Sequence, residues 1–153
     1  MELIQKLNYY CTPEGLKILE RNPNFIDSVW LNESCREFLG SRNGKDFTKI
    51  HDGKDVYVEK TGTSFRELER YFKIDEIIQE QQFKHIKSAE NYFGDENKIL
   101  LKYYPYNFDS YIPSNIELKE EVSEEFYTFC HLTNYNEFGI KEDGDLIVLD
   151  PHF

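Results

Sequence analysis

Phe129-Cys130-His131-Leu132-Thr133-Asn134-Tyr135-Asn136, continued through Phe138-Gly139-Ile140, Asp143-Gly144-Asp145 and Leu146-Ile147-Val148-Leu149 to Asp150, is the stretch on which the fold turns. Its first half closes an acidic helix, expected from about 117 to 132, with Val122, Phe126, Phe129 and Cys130 on one side. Its second half sets two apolar runs about an Asp-Gly-Asp turn, a hairpin signature because Asp and Gly tolerate the positive φ that tight turns require.

The same grammar holds upstream. Asp52-Gly53 separates Phe47-Thr48-Lys49-Ile50 from Val56-Tyr57-Val58, which predicts an earlier β-hairpin followed by further strand. Ser64 with Glu67 makes a capping box, and Phe65, Leu68, Phe72, Ile74, Ile77 and Ile78 carry an apolar stripe to about Phe83, predicting one long helix or two abutting ones. A strand is expected near 98 to 104, ended by Pro105. At the N-terminus Thr12-Pro13-Glu14 is a helix start, Asn22-Pro23-Asn24 a stop, and Phe25, Ile26, Val29 and Trp30 a second helical segment. The expected fold class is therefore α+β with mainly antiparallel pairing, one domain over 1–153 opening with a small helical cap over 1–37.

Composition bounds the function. With 153 residues, 39% hydrophobic and 16% aromatic, the chain has the apolar content of a folded domain. A formal charge of −11 disfavours phosphate backbones and anionic membranes, so nucleic acid and membrane are not expected partners and a basic protein is. The three cysteines, Cys11, Cys35 and Cys130, have no paired spacing, which points to free thiols. No stretch approaches the ~20 apolar residues of a membrane span, and a cytoplasmic location is expected. The Asn, Ile, Lys, Glu and Tyr content is compatible with an AT-rich bacterial or phage gene.

Five segments, in order, resemble the protein-kinase-like fold, meaning protein kinases and their aminoglycoside-phosphotransferase relatives. Leu39-Gly40-Ser41-Arg42-Asn43-Gly44-Lys45-Asp46-Phe47 resembles the glycine-rich loop over ATP phosphates, with Gly40 in register and Arg42 and Lys45 at the other glycine places. Val56-Tyr57-Val58-Glu59-Lys60 resembles the strand whose lysine, here Lys60, pairs with nucleotide phosphates, with Val56 and Val58 facing inward. The following helix would supply that lysine's carboxylate partner, Glu76 ahead of Glu80 and Glu67. Lys98 to Pro105, followed by Phe108-Asp109-Ser110-Tyr111-Ile112, is similar to the fifth strand, hinge and following short helix, which would bring backbone groups of Tyr103 to Pro105, Tyr104 among them, to the adenine edge. Phe129 to Asn136 lies over the catalytic loop, so that Asn136 and Asp150 take the places of the two magnesium ligands.

The resemblance implies an antiparallel kinase-like N-lobe over 38–105 with a long helix, and over 106–153 a remnant C-lobe of one helix plus a hairpin. It implies ATP and magnesium as ligands, with Gly40, Gly44, Lys60, Glu76 and Tyr104 at the nucleotide and Asn136 and Asp150 at the metal. His131 stands where the catalytic aspartate belongs, and Pro151-His152 replaces the Phe-Gly after Asp150. A pseudokinase that acts by binding and regulating a protein partner is the expected function. The alternatives are an acidic immunity, antitoxin or phage-inhibitor protein that needs no nucleotide, and a minimal active phosphotransferase. The apolar side of the 117–132 helix is expected to meet the N-terminal cap, a second copy in a homodimer, or another protein.

Overall fold

The computed structural model describes residues 4–5, 9–42, 44–62, 65–104, 107–109, 118–133 and 137–150. The fold is α+β, as the alternation of strand and helix patterns predicts, and it divides into two compact units. The first comprises Met1–Arg66 and Glu90–Tyr103, the second Glu67–Ala89 and Tyr104–Phe153. The boundaries at 37/38 and 105/106 do not coincide with this division, because the chain leaves the first unit in the first turn of the long helix and returns to it for two central strands.

The first unit holds β1 (Ile4–Gln5), β2 (Tyr10–Cys11), α1 (Pro13–Arg21), β3 (Arg36–Arg42), β4 (Lys45–Asp52), β5 (Asp55–Thr61), and, after the excursion, β7 (Asn91–Gly94) and β8 (Lys98–Lys102). Its seven strands pair antiparallel throughout, in the order β1-β2-β7-β8-β5-β4-β3. The Asp52-Gly53 hairpin forms as expected, with Asp52 opposite Asp55. The short strands β1, β2 and β7 were not foreseen, since two to four residues carry too little periodicity to announce a strand.

Helix α1 begins where Thr12-Pro13 places it: the Thr12 hydroxyl accepts the Gly15 N–H at 3.1 Å and donates to the Asn91 carbonyl at 2.6 Å, tying the helix to β7. Gly15 then sits so close to that strand that an added Cβ would lie 2.3 Å from the Tyr92 carbonyl oxygen. The second helical segment is real but short, a π turn over Ile26–Trp30 with the Leu31 N–H reaching back to Ile26, followed by a 3₁₀ turn over Glu33–Cys35. Phe25, Trp30, Tyr57, Tyr92, Phe93 and Leu100 pack the core between these turns and the sheet. Trp30 and Phe93 stack with centroids 5.7 Å apart, and Phe25 meets Tyr57 edge-on at 5.3 Å.

The second unit contains α2 (Phe65–Gln81), β6 (Ile86–Ser88), β9 (Asn107–Asp109), α3 (Glu120–Leu132), β10 (Glu137–Ile140) and β11 (Leu146–Asp150). Helix α2 is single and ends at Gln82, whose φ of 56° lets the Phe83 N–H bond the Ile78 carbonyl at 3.1 Å. Ser64, the expected cap of α2, lies outside the described residues. The Asp143-Gly144-Asp145 hairpin forms, with Ile140 opposite Leu146, inside a four-stranded sheet of order β6-β11-β10-β9 in which β6 and β11 run parallel.

That sheet overturns one expectation. The apolar side of α3 is covered within its own unit: Phe126 and Phe129 meet Phe138 of β10 at 5.2 and 5.8 Å, and Val122, Ile74, Ile86, Leu146 and Val148 complete the core. The expected need for an outside partner came from counting only one hairpin beneath the helix, whereas β6 and β9 widen the sheet. The Glu125 carboxylate of α3 also accepts the N–H groups of Lys84 and His85 at 3.1 and 2.8 Å, which fixes the helix against the start of β6.

Candidate functional site

In the first unit, Gly40, Phe47, Lys60 and Ile99 form one row across β3, β4, β5 and β8, so their side-chain positions share a sheet face. Gly40 follows a β-bulge in which Leu39 is the extra residue, and its φ of 137° is open to glycine and strained for other residues. Gly44 occupies the hairpin tip with a φ of 76°, and its carbonyl lies 2.7 Å from where a Cβ on Gly62 would stand, so the tip lies over the end of β5. Lys60 is 5% exposed and partnered. Gly40, Gly44 and Lys60, singled out separately in the sequence, are therefore close neighbours in one hairpin-and-strand corner.

The remaining expected residues belong to the second unit. Glu76 and Glu80 are exposed on α2, whereas Glu67, ranked behind them in the sequence, is 3% exposed and partnered. Tyr104 is half-buried beside Gly139. His131 is exposed on the last turn of α3. Asp150 ends β11 with its backbone opposite Glu137, and its side chain lies outside the described residues, as do Asn136 and the whole of Pro151-His152. Among the described residues no group of three or more His, Cys, Asp or Glu is placed to hold a metal ion. Burial pushes the Cys130 thiol up to about 11, which keeps it protonated and unreactive near neutral pH.

A heavily engaged ionisable group in the first unit is Glu59, quoted in the strand motif above but not singled out there. It is 2% exposed, on the face of β5 that carries the buried Tyr57 and packs on the N-terminal turns, while Val56 and Val58, expected to face inward, are half-buried. Its Oε1 accepts the Trp30 indole N–H at 2.9 Å and lies 3.8 Å from the Lys98 ammonium. Its Oε2 accepts from the Arg36 guanidinium, whose other arm donates to the Trp30 carbonyl at 2.7 Å. Lys98 also lies over the Trp30 ring, 5.1 Å from its centroid. A carboxylate this buried persists only because both oxygens are served.

Beside this cluster opens a cavity of about 430 Å³ in the first unit, lined by Arg36, Glu59 and Lys98 together with Glu33, Asp95 and Leu31. The period-2 position of Glu59 after Tyr57 was the available signal: an acid on the core face of a strand demands cationic or N–H partners. Those partners, Arg36 and Trp30, are 23 and 29 residues distant and could not be assigned from spacing. Compared with family models, with curated proteins and with solved structures, the chain gives no significant match to any.

Proposed function

We propose that the chain is a non-catalytic, kinase-like binding domain that holds a nucleotide, as its magnesium complex, at the Lys60 corner and acts on a protein partner. One observation carries this reading: Lys60 is a buried strand lysine in the same cross-sheet row as Gly40, next to a hairpin whose tip is Gly44. Glycines there leave backbone N–H groups open to phosphate oxygens, and a lysine beneath them supplies the positive charge. A long helix directly after that strand, β8 at its other side, and a later hairpin ending on Asp150 are consistent with the same element order. His131 in place of the aspartate argues for binding over phosphoryl transfer, because no carboxylate stands there to orient an attacking hydroxyl.

Thermal unfolding with and without magnesium-ATP tests the reading. A ligand at 100 times its Kd stabilises by about 2.7 kcal/mol, a rise of several degrees in Tm for a chain of this size. Lys60→Met, which keeps the aliphatic stem, should remove that rise relative to its own ligand-free Tm. Absence of any rise in the unaltered protein at millimolar magnesium-ATP would end the nucleotide part of the proposal.

A second reading, an acidic inhibitor or immunity-type protein without nucleotide, is favoured by one feature. Edge strand β3 exposes Phe38 by 64%, next to exposed Leu39 and Glu37, an aromatic anchor with an acidic neighbour. Partner binding that survives loss of nucleotide but falls steeply with salt would select this reading.

A further inference from the structure

We propose that the cavity beside Glu59 is a binding site for a small zwitterion of the α-amino-acid type, its carboxylate held by Arg36 and Lys98 and its ammonium by Glu33 and Asp95. The site differs from the Lys60 corner, because Glu59 and Lys60 are successive residues of β5 and leave it on opposite faces.

The argument starts from unused hydrogen-bonding capacity. The Glu59 carboxylate has two cations beside it, Arg36 and Lys98, and so neutralises only one of them. The Lys98 ammonium, about a quarter exposed, makes no hydrogen bond among the described residues and lies only at ion-pair range from Glu59. Arg36, a residue of the cavity lining, commits one N–H to Glu59 and one to the Trp30 carbonyl, which locks the guanidinium in place with further N–H donors to spare. Fixed cations with spare donors are what a carboxylate requires.

The same lining carries the complementary charge. One oxygen of Asp95 accepts the N–H groups of Asn97 and Lys98 at 2.8 and 3.0 Å, and neither Asp95 nor Glu33 pairs with a cation among the described residues. These two carboxylates disfavour a dianion such as phosphate and favour a ligand with an ammonium group. Leu31, half-exposed at the cavity wall, offers apolar surface to an aliphatic side chain. A volume of about 430 Å³ falls in the range of small-molecule sites and exceeds what one amino acid fills, so water would share it.

The test is a calorimetric titration of the intact chain with L-leucine, L-leucine methyl ester and 4-methylpentanoate. The ester lacks the carboxylate and the acid lacks the ammonium. Leucine should bind, and each analogue should bind about tenfold or more weakly, the cost of leaving a charged partner unpaired. Lys98→Ala, once its own thermal transition shows that it folds, should weaken leucine by a similar factor while leaving ester binding unchanged. No heat from leucine at about 10 mM, equal affinity for all three ligands, or a Lys98→Ala variant that binds leucine as the parent does would each overturn the proposal.

Discussion

Glu59 is a buried carboxylate with partners at both of its oxygens. Replacing it with Ala takes the acceptor from the buried Trp30 indole N–H and one of two acceptors from the Arg36 guanidinium, so Glu59→Ala should cost about 3 kcal/mol. Glu59→Gln, which still accepts the indole hydrogen, should cost less, and the Arg36→Ala/Glu59→Ala pair should be less than additive; urea unfolding of the parent, Glu59→Ala, Glu59→Gln, Arg36→Ala and the double variant measures all three effects. Tyr57, two residues earlier on the same face, gives a pH signature. Burial, reinforced by Asp55 and Asp52, pushes its phenol up to about 12, while in the unfolded chain it ionises near 10. The native state thus keeps the proton, and stability from this group is complete below pH ~10 and lost as pH rises from ~10 to ~12. Unfolding midpoints in that window should fall less in Tyr57→Phe than in the parent. The sequence made Tyr57 legible as a strand residue, but it did not reveal Glu59 as a buried ion, because burial on one face depends on turns from Ile26 to Trp30 laid over the sheet from far along the chain.

At the scale of elements, what is written locally was legible and what depends on distant pairing was not. The helix start at Thr12-Pro13 and both Asp-Gly hairpins follow from side-chain and turn chemistry confined to four or five residues, and each forms where that chemistry puts it. Strands β6 and β9 are three residues each and exist through their neighbours, β11 and β10, so nothing in their own sequence announces them. Their omission made α3 look unpartnered. Phe138 is the direct check: as the ring between Phe126 and Phe129, it should cost about 3–5 kcal/mol on truncation to Ala, measured by chemical denaturation. Were α3 held by an outside partner instead, the isolated chain would tolerate that change. The contact of α1 with β7 has its own test. Gly15→Ala drives a methyl group against the Tyr92 carbonyl, and should destabilise by about 1–3 kcal/mol even though Ala is the better helix former.

At the scale of the whole molecule, two cores share one chain, and the first is assembled from segments separated by α2 and β6. The α+β class was legible in the alternation of strand and helix patterns; the division into units was not, since it rests on where the chain returns rather than on any linker-like composition. Of the expected nucleotide residues, Gly40, Gly44 and Lys60 fall together because hairpin register fixes them, and that corner supports the central proposal. An ATP analogue with an acyl phosphate at its γ position transfers the acyl group to a lysine amine held beside the phosphates, and peptide mass spectrometry then locates the modified residue. The account predicts acylation concentrated on Lys60 and suppressed by excess magnesium-ATP. Labelling spread over the exposed lysines, with Lys60 unmodified and no effect of magnesium-ATP, would contradict it.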